Sequence, residues 1–254
     1  MIEKFKNYNV LEIPKIPNKQ FLVRVCNDLN DDKHFSYLKK EYTEYNYCDY
    51  SDFVVVYEMS KYLKMLEFTS EDVWADLGAN IGSFGVLIHD KVKKIYGVEP
   101  SPTNCEVIKA QIEFNKLDNY SLIEAALVSS DEQKTIDLFI NSISMGFNTI
   151  RKSRSTIGII QVPTLSFSKL LEEHPDINKV KMDIEGAEYE IIINYNNWSN
   201  IKELFVEFHG GILKDKNTEQ PMYNMVINHL KKHFEIVKAP LRTWNGLALI
   251  RCKN

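Results

Sequence analysis

The chain has 254 residues, of which 44% are hydrophobic and 26% charged, a composition that fits one soluble globular α/β domain with a modest N-terminal extension. The formal net charge is -4, so the chain lacks the basic excess that binds nucleic acid. No apolar run approaches the roughly 18 residues of a membrane span, and none follows the N-terminal lysines as in a secretory signal. We therefore expect a cytoplasmic protein.

The four cysteines are far apart in the sequence: Cys26, Cys48, Cys105 and Cys252. They form no C-x-x-C pair, which argues against a structural zinc site and against a redox dithiol. We expect four unrelated reduced thiols.

Residues 1–70 are predicted to form an N-terminal extension or cap, and residues 71–254 the main domain. Between Asp28 and Tyr57 the chain is rich in polar residues and tyrosines. The tyrosines considered are Tyr37, Tyr42, Tyr45, Tyr47 and Tyr50. This composition favours a polar helical cap with packed rings and solvated hydroxyls. The alternative is part of an acceptor-binding lid, because aromatic rings stack on sugar faces.

From Val73 onward, short apolar runs alternate with helical stretches. The predicted strands are residues 73–77, 95–98 and a third that starts at residue 122, and the helices between them are residues 84–92 and 101–116. Ser101 suits a helix N-cap and Pro102 the first helical position. This alternation implies a parallel sheet covered by helices on both faces.

The second half continues the pattern with further strands and helices. A hairpin of residues 135–140 and 158–162 is expected to be inserted into the sheet. Strands 180–183 and 204–208 flank a helix at 187–195. A helix at 223–233 precedes strands 236–238 and 248–250, which are expected to pair as an antiparallel edge. The predicted fold is therefore a doubly wound, mostly parallel seven-stranded α/β sheet with a small N-terminal helical extension.

The loop after the first predicted strand is the strongest functional signal. It reads Asp76-Leu77-Gly78-Ala79-Asn80-Ile81-Gly82-Ser83-Phe84-Gly85. Gly78 and Gly82 allow the backbone to approach a ligand closely because they lack Cβ. The G-x-x-x-G spacing differs from the G-x-G-x-x-G that binds a pyrophosphate. Asp76 suits a ligand that carries an ammonium or a sulfonium.

A second acid, Glu99, ends the second predicted strand, 21 residues after Gly78. A carboxylate in that place can accept hydrogen bonds from the hydroxyls of an adenosine ribose. Small residues around Ala125, after the third strand, leave room for an adenine ring, although core packing explains them equally well. Together these features favour a methyltransferase over a dehydrogenase.

The chain resembles the FkbM-type methyltransferases in these motifs. Residues 76–82 look like the first motif of that family and residues 97–102 like its second. Residues 180–188, Val-Lys-Met-Asp-Ile-Glu-Gly-Ala-Glu, are similar to its K-x-D-x-E-G-A-E signature, and residues 204–209 to its acidic fifth strand. The resemblance implies a class I methyltransferase fold with S-adenosylmethionine as cofactor. The cofactor-binding residues it points to are Asp76, Gly78, Asn80, Gly82, Phe84, Glu99, Pro100, Ala125 and Asp183.

One departure precedes the signature. The family usually has L-D-x-L-L there, whereas residues 167–171 of this chain read Phe-Ser-Lys-Leu-Leu. Ser168 can replace Asp as a helix N-cap, so we expect the change to be structural.

Polar residues at predicted strand ends are the catalytic candidates. They are Asp183, Glu185, Glu207 and His209, and Lys181, in the same predicted strand as Asp183, is a further candidate. Asp183 is the best candidate for a base or a metal ligand. Glu207 and His209 are two apart on a strand and point to the same side, and His209, with an ordinary pKa of roughly 6.5, suits proton transfer. Asp183, Glu207 and His209 together can hold Mg²⁺ or Mn²⁺.

Several of these residues have a structural alternative. Glu185 can be a helix N-terminal acid, and His209 an exposed residue before a hinge at residues 210–211. Lys181 either reaches the acceptor or forms a salt bridge with Glu207. The basic run at residues 151–154 is either solvated surface or a site for an anionic acceptor.

The sequence thus predicts an S-adenosylmethionine-dependent O-methyltransferase that acts on a hydroxyl of a saccharide or other small acceptor by in-line methyl transfer. A nicotinamide-dependent oxidoreductase is one rival, disfavoured by the glycine spacing. A non-catalytic methyltransferase-like module that binds a partner through the Tyr-rich segment is another. A nucleic-acid methyltransferase fits less well because of the acidic charge balance.

Overall fold

The computed structural model describes residues 5–25, 49–141, 156–209, 216–238 and 247–253. Its strands are β1 (Tyr8–Leu11), β2 (Phe21–Arg24), β3 (Val73–Leu77), β4 (Lys94–Val98), β5 (Tyr120–Ile123), β6 (Ala126–Val128), β7 (Thr135–Asn141), β8 (Thr156–Ser166), β9 (Lys179–Met182), β10 (Glu203–His209), β11 (Glu235–Lys238) and β12 (Leu247–Lys253). Its helices are α1 (Tyr50–Met65), α2 (Ser83–Ile88), α3 (Pro102–Asn115), α4 (Phe167–Glu173), α5 (Glu188–Asn194) and α6 (Lys216–Leu230), with a 3-10 turn at Trp198–Asn200.

The main sheet has seven strands in the order β11-β12-β10-β9-β3-β4-β5. Neighbouring strands from β10 to β5 pair in parallel, and β12 lies antiparallel between β10 and β11. Every residue of β3 and β9 is buried, as expected for parallel strands covered on both faces. The predicted mostly parallel seven-stranded sheet with an antiparallel edge pair is confirmed.

The hairpin of β7 and β8 lies outside the main sheet. The two strands pair antiparallel as predicted, but β8 also pairs in parallel with β6, and the three strands form a separate sheet. Ala126, Leu138 and Val162 give this sheet its own small core. The prediction that the hairpin is inserted into the main sheet was therefore wrong. The residue pattern of a strand indicates which of its faces is buried, but it does not identify the sheet that the strand joins. The basic run at residues 151–154 lies outside the described residues.

Several helix boundaries differ from the sequence-based expectation, and α6 (Lys216–Leu230) begins seven residues before the predicted residue 223. α2 ends at Ile88 instead of continuing to residue 92. The N-cap of α4 is Ser166, whose hydroxyl accepts the N–H of Lys169 at 3.1 Å, so the assignment of Ser168 to this role was wrong. Since β8 runs directly into α4, the helix begins where the strand ends, and Ser168 falls within its first turn.

The described part of the N-terminal extension contains a hairpin, which was not predicted, and one helix, whereas most of the polar helical cap predicted between residues 28 and 57 lies outside the described residues. β1 and β2 pair antiparallel, and α1 follows them. The carboxylate of Asp52 in α1 is fully buried and pairs with the guanidinium of Arg24 at 2.5 Å, which ties the hairpin to the helix. Phe53, Val56 and Tyr62 of α1 share one hydrophobic core with α2 and β3. The boundary at residue 70 stays a prediction.

Several sequence features lie outside the described residues, among them Cys26 and Cys48, residues 210–211, and the segment that holds Tyr37, Tyr42, Tyr45 and Tyr47. Cys105 and Cys252 are free, buried thiols, as expected. None of the helices in the described ranges is long and apolar enough to cross a membrane.

Candidate active site

The candidate site lies along the edge of the main sheet where its parallel strands end. Leu77 of β3 is opposite both Val98 of β4 and Met182 of β9, and Met182 is opposite Val206 of β10. The residues that follow these positions therefore meet at one edge. Ligands of open α/β sheets bind at such an edge.

The loop after β3 is packed tightly against the end of β9. Gly78 has a φ of +77°, and a Cβ at this position would lie 1.7 Å from the backbone carbonyl oxygen of Asp183. The Gly78 N–H donates to the carbonyl oxygen of Val98 at 3.0 Å, and the Asp183 N–H donates to that of Leu77 at 2.9 Å. Gly82, also at +77°, is the N-cap residue of α2. Glycine is thus required at 78 both by conformation and by contact with the Asp183 backbone.

Replacement of Gly78 by Ala is expected to disrupt this loop. The left-handed conformation alone costs an L-residue roughly 1–2 kcal/mol, and the overlap with the Asp183 carbonyl forces the loop away from β9. We expect a lower midpoint in urea unfolding and at least a tenfold loss of S-adenosylhomocysteine affinity by calorimetry. Gly158→Ala is the matched control, because the nearest atoms to its Cβ lie 3.8 Å away. Equal behaviour of the two variants would contradict the close contact.

Glu99, after β4, has a carboxylate that organises two loops. Its Oε1 accepts the N–H of Ser101 at 3.0 Å and the amide of Asn104 at 3.2 Å, and its Oε2 accepts the N–H of Asn80 at 2.9 Å. Burial raises the pKa of Glu99 to about 7, although these three donors act in the opposite direction. Because a carboxylate has about four acceptor positions, Oε2 retains one for a further donor.

Lys181 of β9 lies beside Asp76 of β3. The Lys181 Nζ is 3.0 Å from the Asp76 Oδ1, and both side chains are almost completely buried, with 4% and 0% exposure. The same Nζ is 3.8 Å from the Asp183 Oδ2. The main partner of Lys181 is therefore Asp76. The sequence had suggested a contact with the acceptor or a salt bridge with Glu207 instead. The Asp76 Oδ1 likewise has an internal ammonium partner, and the contact of Asp76 with a cationic ligand stays a prediction.

His209, the last residue of β10, is oriented by Glu188 of α5. Its Nδ1 is 3.0 Å from the Oε1 of Glu188, a fully buried carboxylate. That oxygen also accepts the N–H groups of Ile184 at 3.1 Å and Gly186 at 3.0 Å. A proton on Nδ1 donates to Glu188 in this arrangement, which leaves Nε2 facing the loop after β9.

The His209 Nε2 faces two carboxylates of that loop. It lies 3.6 Å from the Asp183 Oδ1 and 3.5 Å from the Glu185 Oε1. Glu185 has a left-handed φ of 56°, a conformation that non-glycine residues rarely adopt. Glu185 therefore belongs to the cluster of acidic residues around His209. Its position before the N-terminus of α5 does not by itself account for this contact.

Glu207 has a different partner, Tyr62 of α1. The Tyr62 hydroxyl donates to the Glu207 Oε2 at 3.5 Å. The Tyr62 ring packs edge to face on Phe84 and Phe205. The N-terminal extension thus contributes a side chain to the site.

The acidic surroundings alter the protonation of the cluster. Burial and the Asp183 carboxylate raise the pKa of Glu207 to about 7, and burial raises that of Glu185 to about 8. Burial lowers the pKa of His209, but the hydrogen bond to Glu188 and the nearby carboxylates outweigh it and raise the value to about 10. The pKa of His209 therefore departs from the ordinary value of roughly 6.5 that made this residue a candidate for proton transfer.

The methyltransferase FkbM domain family matches residues 76–234, which include all of these residues except Tyr62. The chain belongs to the FkbM methyltransferase family. The resemblance carried by its motifs is therefore confirmed, and the chain contains a methyltransferase domain of α/β architecture.

The hexuronic acid methyltransferase AglP of Haloferax volcanii is a curated relative of this FkbM-family chain. The two are 27% identical over 153 residues, which are 59% of this chain and 61% of AglP. The chain therefore matches less than two thirds of that relative's length.

Solved structures of methyltransferases are also similar to this FkbM-family chain. The methyltransferase FkbM from Methylobacillus flagellatus is 14% identical, with 75% of this chain and 45% of that chain covered and a TM-score of 0.48. Fibrillarin from Aeropyrum pernix, solved with S-adenosylmethionine, is 13% identical, with 78% and 73% covered and a TM-score of 0.45.

The predicted cofactor residues of this family member lie in or behind the loops of the sheet edge. The Asn80 N–H donates to the Glu99 Oε2, and the Phe84 ring packs against the Trp74 ring. Ala125 is buried after β5, and Pro100 is half-buried beside Glu99. Their contact with a cofactor stays a prediction.

Two residues of the site were missed from the sequence. Glu188 was noted as the last letter of the family signature without a role, although its buried carboxylate orients His209. Tyr62 lies in the extension, far from the motifs. The sequence signal that could have found Tyr62 is an apolar stripe on α1, formed by Val56, Met59 and Tyr62. This stripe is the helix face that packs on the main domain.

Proposed function

We propose that the protein is an S-adenosylmethionine-dependent O-methyltransferase that acts on a hydroxyl of a saccharide. The observation that carries this proposal is the contact between Gly78 and the backbone of Asp183. It joins the cofactor loop of the family to the acid that is the best candidate for handling the acceptor.

The residues at the sheet edge fit this cofactor. Asp76 Oδ2, Ser83 Oγ and Asn104 Oδ1 are buried and have no hydrogen-bond partner among the described residues. They lie near the end of β3, at the start of α2, and beside Glu99, so polar ligand atoms can satisfy them. The remaining acceptor position on Glu99 suits a ribose hydroxyl. The cofactor supplies a methyl group activated by its sulfonium.

The chain's own residues then align the acceptor and manage its proton. Asp183 is the preferred residue to accept a hydroxyl proton or to bind a metal, since its carboxylate lies between Lys181 and His209 and is 27% exposed. Glu207 and His209 remain further candidates for a base, and His209 for a ligand of Mg²⁺ or Mn²⁺. Lys181 is paired with the buried Asp76, so its role is to stabilise and position the Asp76 carboxylate beneath the site.

A saccharide acceptor is supported by the relative AglP, whose name gives a hexuronic acid as its substrate. An uncharged saccharide needs no basic surface, in contrast to a nucleic acid, which agrees with the net charge of -4. We propose neither a nucleic-acid acceptor nor a membrane-bound one.

Ligand protection from thermal unfolding tests the proposal against its rivals. We expect S-adenosylhomocysteine to raise the midpoint and NADH or NADPH to leave it unchanged. The opposite ranking would favour an oxidoreductase. Cofactor binding without methyl transfer to any acceptor would favour a non-catalytic module.

Cofactor affinity is expected to rise with pH around neutrality through Glu99. Only the ionised carboxylate offers all its acceptor positions to ribose hydroxyls, and its pKa is about 7. Binding at lower pH must therefore release a proton from Glu99, which weakens it. Calorimetric titration with S-adenosylhomocysteine at pH 6 to 8 measures how the affinity depends on pH. The Glu99→Gln variant should bind at least tenfold more weakly at pH 8, and its affinity should depend less on pH. An equal slope in the variant would assign the dependence to another group.

A further inference from the structure

We propose that Asp183, Glu185 and His209 form a binding site for a divalent cation, with Glu188 as the residue that orients His209. The site differs from the ligand set expected from the sequence because Glu185 takes the place of Glu207. The role of the cation in positioning an acceptor rests on the proposed function, whereas its binding does not.

The distances suit ligands of a common ion. One ligand atom from each of the three residues lies within 4.8 Å of the others. The His209 Nε2 is 3.6 Å from the Asp183 Oδ1 and 3.5 Å from the Glu185 Oε1, which is too long for strong direct hydrogen bonds. Adjacent ligands about 2.1 Å from one octahedral ion are separated by about 3.0 Å, so a movement of about 0.5 Å would bring these atoms to coordination distance.

Glu188 provides an independent indication of a cation. Its carboxylate is fully buried and aimed at the cluster, since its Oε1 is 3.0 Å from the His209 Nδ1. Its Oε2 is buried without a hydrogen-bond partner among the described residues. A buried carboxylate that fixes the far nitrogen of an imidazole is the usual outer partner of a metal-binding histidine, and it leaves Nε2 free to coordinate.

The charges around the site favour a cation. The carboxylates that face it are those of Asp183, Glu185, Glu188 and Glu207, together with Asp76 behind them. The nearby Lys181 is already paired with Asp76 at 3.0 Å, and a bound cation would displace the proton from the His209 Nε2, because a metal-binding imidazole is neutral. A divalent ion would offset the excess negative charge in a partly buried environment.

The site is accessible and incomplete. The side chains of Asp183 and Glu185 are 27% and 19% exposed, so an ion can enter from solvent. Three protein ligands leave coordination positions open, as in catalytic metal sites. Two carboxylates and one imidazole suit Mn²⁺ or Mg²⁺, and oxygens of a bound acceptor can complete the shell and become more acidic there.

Titration of the full chain with Mn²⁺ in the presence of S-adenosylhomocysteine tests the site. Electron paramagnetic resonance of free Mn²⁺ is expected to report one saturable site. Asp183→Asn and Glu185→Gln should each weaken binding at least tenfold, and Glu188→Gln about 10–100-fold. Glu190→Gln is the matched control, because Glu190 is exposed on the same helix as Glu188 and bonds to Ser129 instead.

Absence of a saturable Mn²⁺ site, or equal affinity in Asp183→Asn, Glu185→Gln and Glu190→Gln, would overturn the metal proposal. Circular dichroism of each variant identifies any that fails to fold. Calorimetry of S-adenosylhomocysteine on the same samples separates the two proposals. If the unmodified protein binds S-adenosylhomocysteine but not Mn²⁺, only the metal site is overturned. If it does not bind S-adenosylhomocysteine, the proposed function is overturned.

Discussion

Replacement of Lys181 by Met is expected to destabilise the fold by about 3–5 kcal/mol. The substitution removes the ammonium that lies 3.0 Å from Asp76, and the Asp76 carboxylate has no solvent exposure. An unpaired buried carboxylate must either pay its desolvation cost or take up a proton. Urea unfolding monitored by circular dichroism measures the free energy.

Two further variants separate charge from packing. The double variant Lys181→Met with Asp76→Asn should recover part of the loss, because it leaves no unpaired charge. Lys169→Met removes an exposed i,i+4 partner of Glu173 at 3.7 Å and should cost less than about 1 kcal/mol. A loss in Lys181→Met no greater than in Lys169→Met would contradict the buried pair.

Replacement of Asp183 by Asn is expected to reduce kcat for methyl transfer by about 10²–10⁴-fold. The substitution keeps the shape of the side chain but removes the charge that lies between Lys181 and His209. It also removes the proposed base or metal ligand. Cofactor affinity should change only severalfold, because the loop contact at residue 183 is made by the backbone.

Steady-state release of S-adenosylhomocysteine with an identified acceptor measures this effect. Asp176→Asn is the control, since Asp176 is exposed and bonds to the Tyr96 hydroxyl at 3.4 Å, away from the cluster. If Asp183→Asn and Asp176→Asn turn over equally fast, Asp183 has no role in the chemistry.

The place of the site was predictable because parallel strands end at one edge. Apolar runs predicted β3, β4, β9 and β10, and the residues after them had to meet. Gly78, Glu99 and Asp183 were identified in this way, and the structure brings their loops together. Local periodicity and strand direction were sufficient for this part.

The partners within the site depend on register, which the sequence does not reveal. Lys181 on β9 has β3 on one side and β10 on the other, so both Asp76 and Glu207 were within reach. The structure places Lys181 directly opposite Asp76, but opposite Phe205 on β10, two residues before Glu207. A shift in register would change its partner.

Contacts between distant segments were also hidden. Tyr62 meets Glu207 across 145 residues, and Glu188 meets His209 only because α5 packs beside β10. The hairpin of β7 and β8 was predicted, but the sheet it joins depends on its pairing with β6. These outcomes are decided by tertiary packing.

Transfer of a labelled methyl group from S-adenosylmethionine to a panel of oligosaccharides, with and without hexuronic acid, tests the central claim most directly. Mass spectrometry locates the label, and mild alkali separates an ether on a hydroxyl from an ester on a carboxylate. We predict an alkali-stable methyl ether on a sugar hydroxyl, formed together with S-adenosylhomocysteine. Release of S-adenosylhomocysteine no faster than in an acceptor-free blank for every saccharide, or a label only on nitrogen or as an ester, would contradict it.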